Sequence, residues 1–396
     1  MPLSVYLLSL CTATMFVCNS LLITVSALIG FELAPDKTLA TLPLALQFLA
    51  IMCSSIPASL LMGKIGRKPG FLLAALLGMA GGALAIIAIT NRQFWLFCVA
   101  TICFGLFNSF GNYYRFTAAE VVSPERRNRA IAYVTAGGVI AGFLGPNLAN
   151  WSQYLIGDQR FAGSFIIVIA VYVLNMLLVS MTKLPKPPTA AERKPGRPIG
   201  EIMRQPTFIV AVVCAMFGYG SMNLIMTATP LAMQAMQHSM SSTAVVIQWH
   251  VVAMFAPSFF TGALIDRFGF AAMLSTGVLL GIVTVFINLS GTTVAHYVAA
   301  LVTLGLCWNF LFVTSTSLLT RCYEPHEKAR TQAANDFIVF TFVTITALCS
   351  GGFHHLFGWR IINLSTLPLF ACCALAVWLL IRSTPKGDTA ALPSRS

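Results

Sequence analysis

Charge is what this sequence has least of. Asp, Glu, Lys and Arg make up only 9% of its 396 residues, against about 25% in a soluble domain. So few charges cannot clothe a water-facing surface. That excludes a soluble enzyme, a disordered chain and a secreted disulfide scaffold. The 11 cysteines contain no CxxC pair and nearly all sit in apolar runs, so neither a zinc site nor a redox pair is indicated. No GxxxxGK[ST] stretch is present, which removes ATP as the visible energy source. The first apolar run is long enough to span a bilayer, so it is expected to remain as a helix rather than leave as a signal.

Apolar side chains are what the sequence has instead: 57% of the residues, with a mean hydropathy of +0.82. A spanning helix needs about 20 mostly apolar residues. Twelve such runs are legible, at 4–29, 39–62, 70–90, 94–118, 130–153, 162–183, 207–230, 241–264, 270–290, 295–319, 331–353 and 361–382. The expected fold is an all-α membrane protein of twelve transmembrane helices in two six-helix bundles. The bundles occupy residues 1–183 and 207–396, the second ending in a short tail. The Pro-rich, basic stretch 184–206 reads as a linker between them.

The net charge of +12 would suggest nucleic acid in a soluble protein. Here it records topology, and no nucleic-acid partner is expected. Lys37, Arg92, Arg160 and Arg360 fall in one set of loops; the other Lys and Arg residues share the opposite side. Cytoplasmic loops collect Lys and Arg, so both termini are expected in the cytoplasm, with the chain in a bacterial inner membrane. The carboxylates are placed outside the membrane middle: Glu120, Asp266 and Asp336 at helix ends, the others in loops or the tail. Proton-coupled transport commonly needs an ionisable group at mid-depth, so this placement weighs against it.

The halves repeat. SLLMGKIGRKPG (59–70) follows the second span, and GALIDRFGF (262–270) follows the eighth; Gly66 aligns with Gly269. EVVSPERRNRA (120–130) follows the fourth, and CYEPHEKARTQ (322–332) the tenth; Pro124 aligns with Pro325 and Arg129 with Arg330. Two loops with nearly one offset indicate a duplicated six-helix unit. These loops resemble the signature loops of the major facilitator superfamily. Gly262, Leu264, Asp266, Arg267 and Gly269 match its GxLxDRxG pattern, whereas Gly63 stands where the first copy has Asp. The resemblance implies two bundles rocking about a midplane site. It makes Asp266, Arg267 and Gly269 gate residues, and Asp266 is expected to pair with a basic residue of its own half such as Arg321.

The seventh and eighth spans carry the most distinctive chemistry. They hold Met222-x-x-x-Met226 and His250-x-x-x-Met254. Each pair shares one helix face, and the two pairs overlap in depth. As adjacent antiparallel helices, the two can present three thioethers and one imidazole to one point, a neutral soft set that suits Cu(I). Methionine at helical spacing also serves as plain packing; a histidine inside a span is the rarer feature. The MxxxM and HxxxM pair resembles the CcoA-like copper importers, whose relatives include riboflavin importers. That resemblance implies Met222, Met226, His250 and Met254 as copper ligands. It also implies import of copper for cbb3-type cytochrome oxidase assembly.

Met233, Met236, His238 and Met240 follow as a candidate outer capture cluster, and Cys214, Cys372 and Cys373 as a candidate relay. The expected protein is not an enzyme and holds no permanent cofactor. Copper is its cargo, the lipid bilayer its surroundings, and a copper chaperone a further partner. The alternative cargo is a flat organic molecule such as riboflavin, stacked among Phe217, Tyr219, Trp249, Trp308 and Phe310. A metal-binding membrane sensor or chaperone is a third reading.

Overall fold

Backbone amides and carbonyls inside a bilayer must be satisfied within the chain, which leaves long apolar runs one solution, the helix. A computed structural model describes residues 1–36, 39, 42–157, 159–185 and 196–383. Part of the expected linker, residues 186–195, and the tail from 384 onward lie outside the described residues. The helices are α1 (Leu3–Leu33), α2 (Leu42–Ile65), α3 (Arg67–Thr90), α4 (Phe94–Gly111), α5 (Tyr114–Glu120), α6 (Arg127–Ala136), α7 (Val139–Ser152), α8 (Ala162–Met181), α9 (Ile199–Met203), α10 (Pro206–Ala235), α11 (Met240–Phe255), α12 (Ser258–Ser290), α13 (Val294–Leu319) and α14 (Lys328–Ser383). No strand occurs among the described residues.

Eleven helical stretches are long and apolar enough to cross a membrane, and Ser241–Phe255 is a shorter apolar helix. The fourth and fifth spans are each built from two pieces, α4 with α5 and α6 with α7. The expected eighth span, 241–264, is likewise not one continuous helix. It stops at Phe255 and resumes at Ser258. Pro257 lacks an N–H and interrupts the hydrogen-bond ladder. Asn309 of α13 repairs the break: its Nδ2 donates to the Met254 carbonyl at 2.6 Å and to Ser258 Oγ at 2.5 Å.

Glycines in the left-handed region turn the chain between spans. Gly66 (φ 97) separates α2 from α3, and Gly269 (φ 80) divides α12 into the end of the eighth span and the whole of the ninth. A left-handed φ is cheap only without a Cβ. These are the two positions aligned by the sequence repeat. Gly358 (φ 74) divides α14 into the last two spans in the same way.

Helices α1–α8 pack chiefly on one another, and α10–α14 do likewise. The halves meet where α2 lies along α14, α6 along α12 and α7 along α11. One apolar cluster draws on both sides of that boundary: Ile51 of α2 packs with Met222, Met254, Trp308, Phe312 and Phe340. The end of the molecule that carries the Arg115, Arg129 and Lys328 side chains is called the basic end below.

A candidate substrate path between the halves

Aromatic rings fill the middle of the boundary. Phe16 of α1 meets Phe255 of α11 at 4.7 Å between centroids. Phe255 leads to Trp308 at 5.4 Å, which stacks on Phe312 at 4.9 Å. Tyr219 of α10 closes the group, 5.6 Å from Trp308, 5.2 Å from Phe312 and 5.9 Å from Phe340. Offset and edge-to-face contacts at these spacings add to simple burial. Of the five rings expected to line a stacking cavity, Tyr219 and Trp308 are here. Trp249 is 52% exposed on the outside of α11, Phe217 pairs with Phe342 at 5.3 Å, and Phe310 is half-buried. Sequence reading missed Phe16, Phe255 and Phe312, because ring-to-ring contacts between distant helices leave no local spacing to detect.

Amides border the rings on the α1–α8 side. Asn19 Oδ1 accepts from Gln47 Nε2 at 3.1 Å and from Asn108 Nδ2 at 2.6 Å. Gln47 Oε1 and Asn108 Oδ1 are buried without a partner. On the other side Asn223 Nδ2 donates to Thr346 Oγ1 at 3.2 Å. His250 is fully buried, its Nδ1 2.7 Å from the Leu301 carbonyl, while its Nε2 has no partner.

The proposed copper ligands are placed differently from their expected arrangement. Helices α10 and α11 are not close neighbours along their lengths; α13 packs firmly against both. His250 is fastened to α13 through Leu301. Gly305 of α13 lets the helices approach so closely there that an added Cβ would meet the His250 carbonyl. Met222 and Met254 are buried in the aromatic cluster and Met226 packs at its margin. The i, i+4 faces are as expected; the helix pairing is not, because adjacency in sequence does not fix adjacency in a bundle. Among the described residues, no group of three or more His, Cys, Asp or Glu is placed to hold a metal ion.

The outer cluster does not gather at one point. Met233 is fully buried, Met236 is 51% exposed, and His238 Nε2 lies 2.7 Å from the Thr292 carbonyl. The side chain of Met240 lies outside the described residues. Cys214 and Cys373 are buried in the core of the second half, while Cys372 is exposed. Neighbours on a helix point about 100° apart, which accounts for that split.

Charged pairs cross the boundary at the basic end. Arg115 Nη2 on α5 lies 2.8 Å from Asp336 Oδ1 on α14, with both side chains buried. Glu120 accepts from Arg67 and from Lys328, each at 2.8 Å. Asp266 accepts from Arg129 Nε at 3.0 Å and from Asn128 Nδ2 at 2.8 Å. Thus the partner of Asp266 comes from the other half. Arg321, the expected partner, lies over the Phe270 ring at 4.5 Å, and Arg267 over Phe268 at 5.2 Å. Gly63, which stands in place of an acid, lies against Ala329. The cross-boundary charge contact nearby is Lys328–Glu120 instead. Asp336 also departs from its expected place at a helix end: it sits more than two turns into α14, 1% exposed.

Comparison with known proteins agrees with this architecture. The Major Facilitator Superfamily description matches residues 8–338 and 211–396. The riboflavin transporter RfnT of Brucella anthropi is 38% identical over 373 residues, 93% of each chain. The uncharacterised transporter YdeG of Bacillus subtilis is 27% identical over 335 residues, 80% of this chain and 77% of YdeG. The crystal structure of FucP in the outward conformation has the same fold, with a TM-score of 0.76 at 16% identity over 97% of this chain and 99% of FucP. The chain is a multi-pass membrane protein that belongs to the Major Facilitator Superfamily of secondary transporters.

Proposed function

We propose that this transporter imports a flat heteroaromatic molecule of the riboflavin class. The observation that carries the reading is the aromatic group of Phe16, Tyr219, Phe255, Trp308 and Phe312, supplied by both halves and bordered by buried amides. Large ring faces suit a fused-ring substrate, and amides suit its polar edges. The identity to a riboflavin transporter supports the same choice. The bias of Lys and Arg to the basic end supports an inner-membrane orientation with both termini in the cytoplasm. The ion pairs then close the cytoplasmic side. A bacterial strain unable to make or take up riboflavin tests this. Expression of the chain should restore growth on low riboflavin, and failure with normal membrane insertion would remove the reading.

A second reading, copper import, rests on the unpartnered His250 Nε2, with Met254 one turn away on α11. Neutral imidazole and thioether donors suit Cu(I). Copper accumulation by the same cells separates the two cargoes.

A further inference from the structure

Three amides from three helices meet in an apolar interior, and their hydrogen bonds do not balance. Asn19 Oδ1 takes two donors, from Gln47 Nε2 and Asn108 Nδ2. That leaves Gln47 Oε1 and Asn108 Oδ1 buried with nothing to accept from. Gln47 is 3% exposed and Asn108 2%, so bulk water does not serve them. Buried carbonyl oxygens are normally paired, and an unpaired one costs free energy. The arrangement is nevertheless rigidly built. Gly105, one turn before Asn108, brings α4 against the Gln47 backbone so closely that any side chain there would strike it.

The group also lies close to the aromatic cluster. Asn19 follows Phe16 by three residues, on one face of α1, and Phe16 touches Phe255 of the other half. Gln47 precedes Ile51 by four on α2, and Ile51 packs in the cluster with Trp308. Asn19 itself is only half-buried, and its Oδ1 takes both amide donors.

We propose that Asn19, Gln47 and Asn108 form a recognition site for the imide edge of the substrate. An imide presents an N–H flanked by carbonyls. The N–H donates to one orphaned oxygen, Gln47 Oε1 or Asn108 Oδ1, and a flanking carbonyl accepts from Asn19 Nδ2. A substrate hydroxyl donates to the remaining oxygen. Fused rings stack on the neighbouring aromatics while this edge is held. The site rests on the flavin reading above and sharpens it, because aromatic stacking alone does not distinguish one flat molecule from another.

The test is binding to the purified full chain in lipid nanodiscs, read by quenching of flavin fluorescence. The probes are riboflavin and 3-methylriboflavin, which lacks the imide N–H. A site that pairs a substrate N–H discriminates strongly against an analogue without it, so methylation should weaken wild-type binding by about tenfold or more. Gln47→Leu and Asn108→Leu should bind riboflavin less well and lose most of that discrimination. Equal wild-type affinity for the two flavins would overturn the site while leaving the flavin reading intact. Binding of neither flavin would overturn both. The wild-type comparison stands even if the variants fail to fold.

Discussion

Arg115 and Asp336 are 221 residues apart in sequence, yet their side chains meet at 2.8 Å across the boundary between the halves. The guanidinium also lies over the rings of Phe116 and Phe312, at 4.8 and 4.5 Å. The pair therefore joins the charged closure of the basic end to the aromatic group above it. Breaking one partner of a buried pair leaves an uncompensated charge, which costs about 3–5 kcal/mol. Asp336→Asn should lower the melting temperature of the purified protein and reduce uptake by at least about tenfold. Replacing both residues together, Arg115→Met with Asp336→Leu, should recover most of the stability but not the uptake. A double variant as unstable as the single one would show that the charges are not what matters there.

The Arg129–Asp266 pair should behave more mildly. Its side chains are 55% and 25% exposed, and solvated pairs contribute about 0–1 kcal/mol. Asp266→Asn should change the uptake rate by about two- to fivefold, the factor that such an energy allows. In a double-mutant cycle with Arg129→Gln the two effects should not add. Arg321→Gln should show no coupling with Asp266, since Arg321 rests on Phe270.

His250 separates the two cargoes. His250→Leu loses one hydrogen bond to the Leu301 carbonyl, worth about 0.5–1.5 kcal/mol. If the cargo is a flavin held by rings and amides, flavin uptake should stay within about threefold of wild type, a change of the size one hydrogen bond accounts for. If the cargo is copper, uptake should vanish with the imidazole donor. Loss of flavin uptake with normal insertion would place His250 in the flavin site.

A pH effect is expected just before α9, at Arg197. Glu327 accepts from the Arg197 backbone N–H at 2.9 Å and from its guanidinium at 2.7 and 2.9 Å. The Arg197 hydrogen bonds hold the carboxyl well below the usual carboxylate range. A group with a depressed folded pKa contributes stability above its unfolded pKa of about 4.3, and loses it as pH falls toward the folded value. Glu327→Gln should therefore lower the melting temperature at pH 7 and lower it less at pH 4. An equal loss at both pH values would show that charge on Glu327 is not involved.

Much of the fold was legible because bilayer helices announce themselves by length and polarity. The run at 162–183 became α8, Ala162–Met181, and the aligned glycines 66 and 269 share a left-handed turn. The break at Pro257 was written in the sequence as a proline, but an apolar run of span length masked it. The site was less legible. The i, i+4 pairs on α10 and α11 were real, yet their convergence depended on which helices adjoin, and α13 packs against both. Asn19, Gln47 and Asn108 are single amides in three separate apolar runs, and only the packing of α1, α2 and α4 makes them a group. Asp336 was assigned to a helix end from an approximate span boundary, and an error of a few residues hid a buried pair.

The most direct test is transport by the purified chain in liposomes, with riboflavin and Cu(I) offered separately to the same preparation. Riboflavin should accumulate inside, unlabelled flavin should compete with it, and silver(I), a soft-metal mimic, should leave it unaffected. Accumulation of copper with no riboflavin, blocked by silver, would contradict the account.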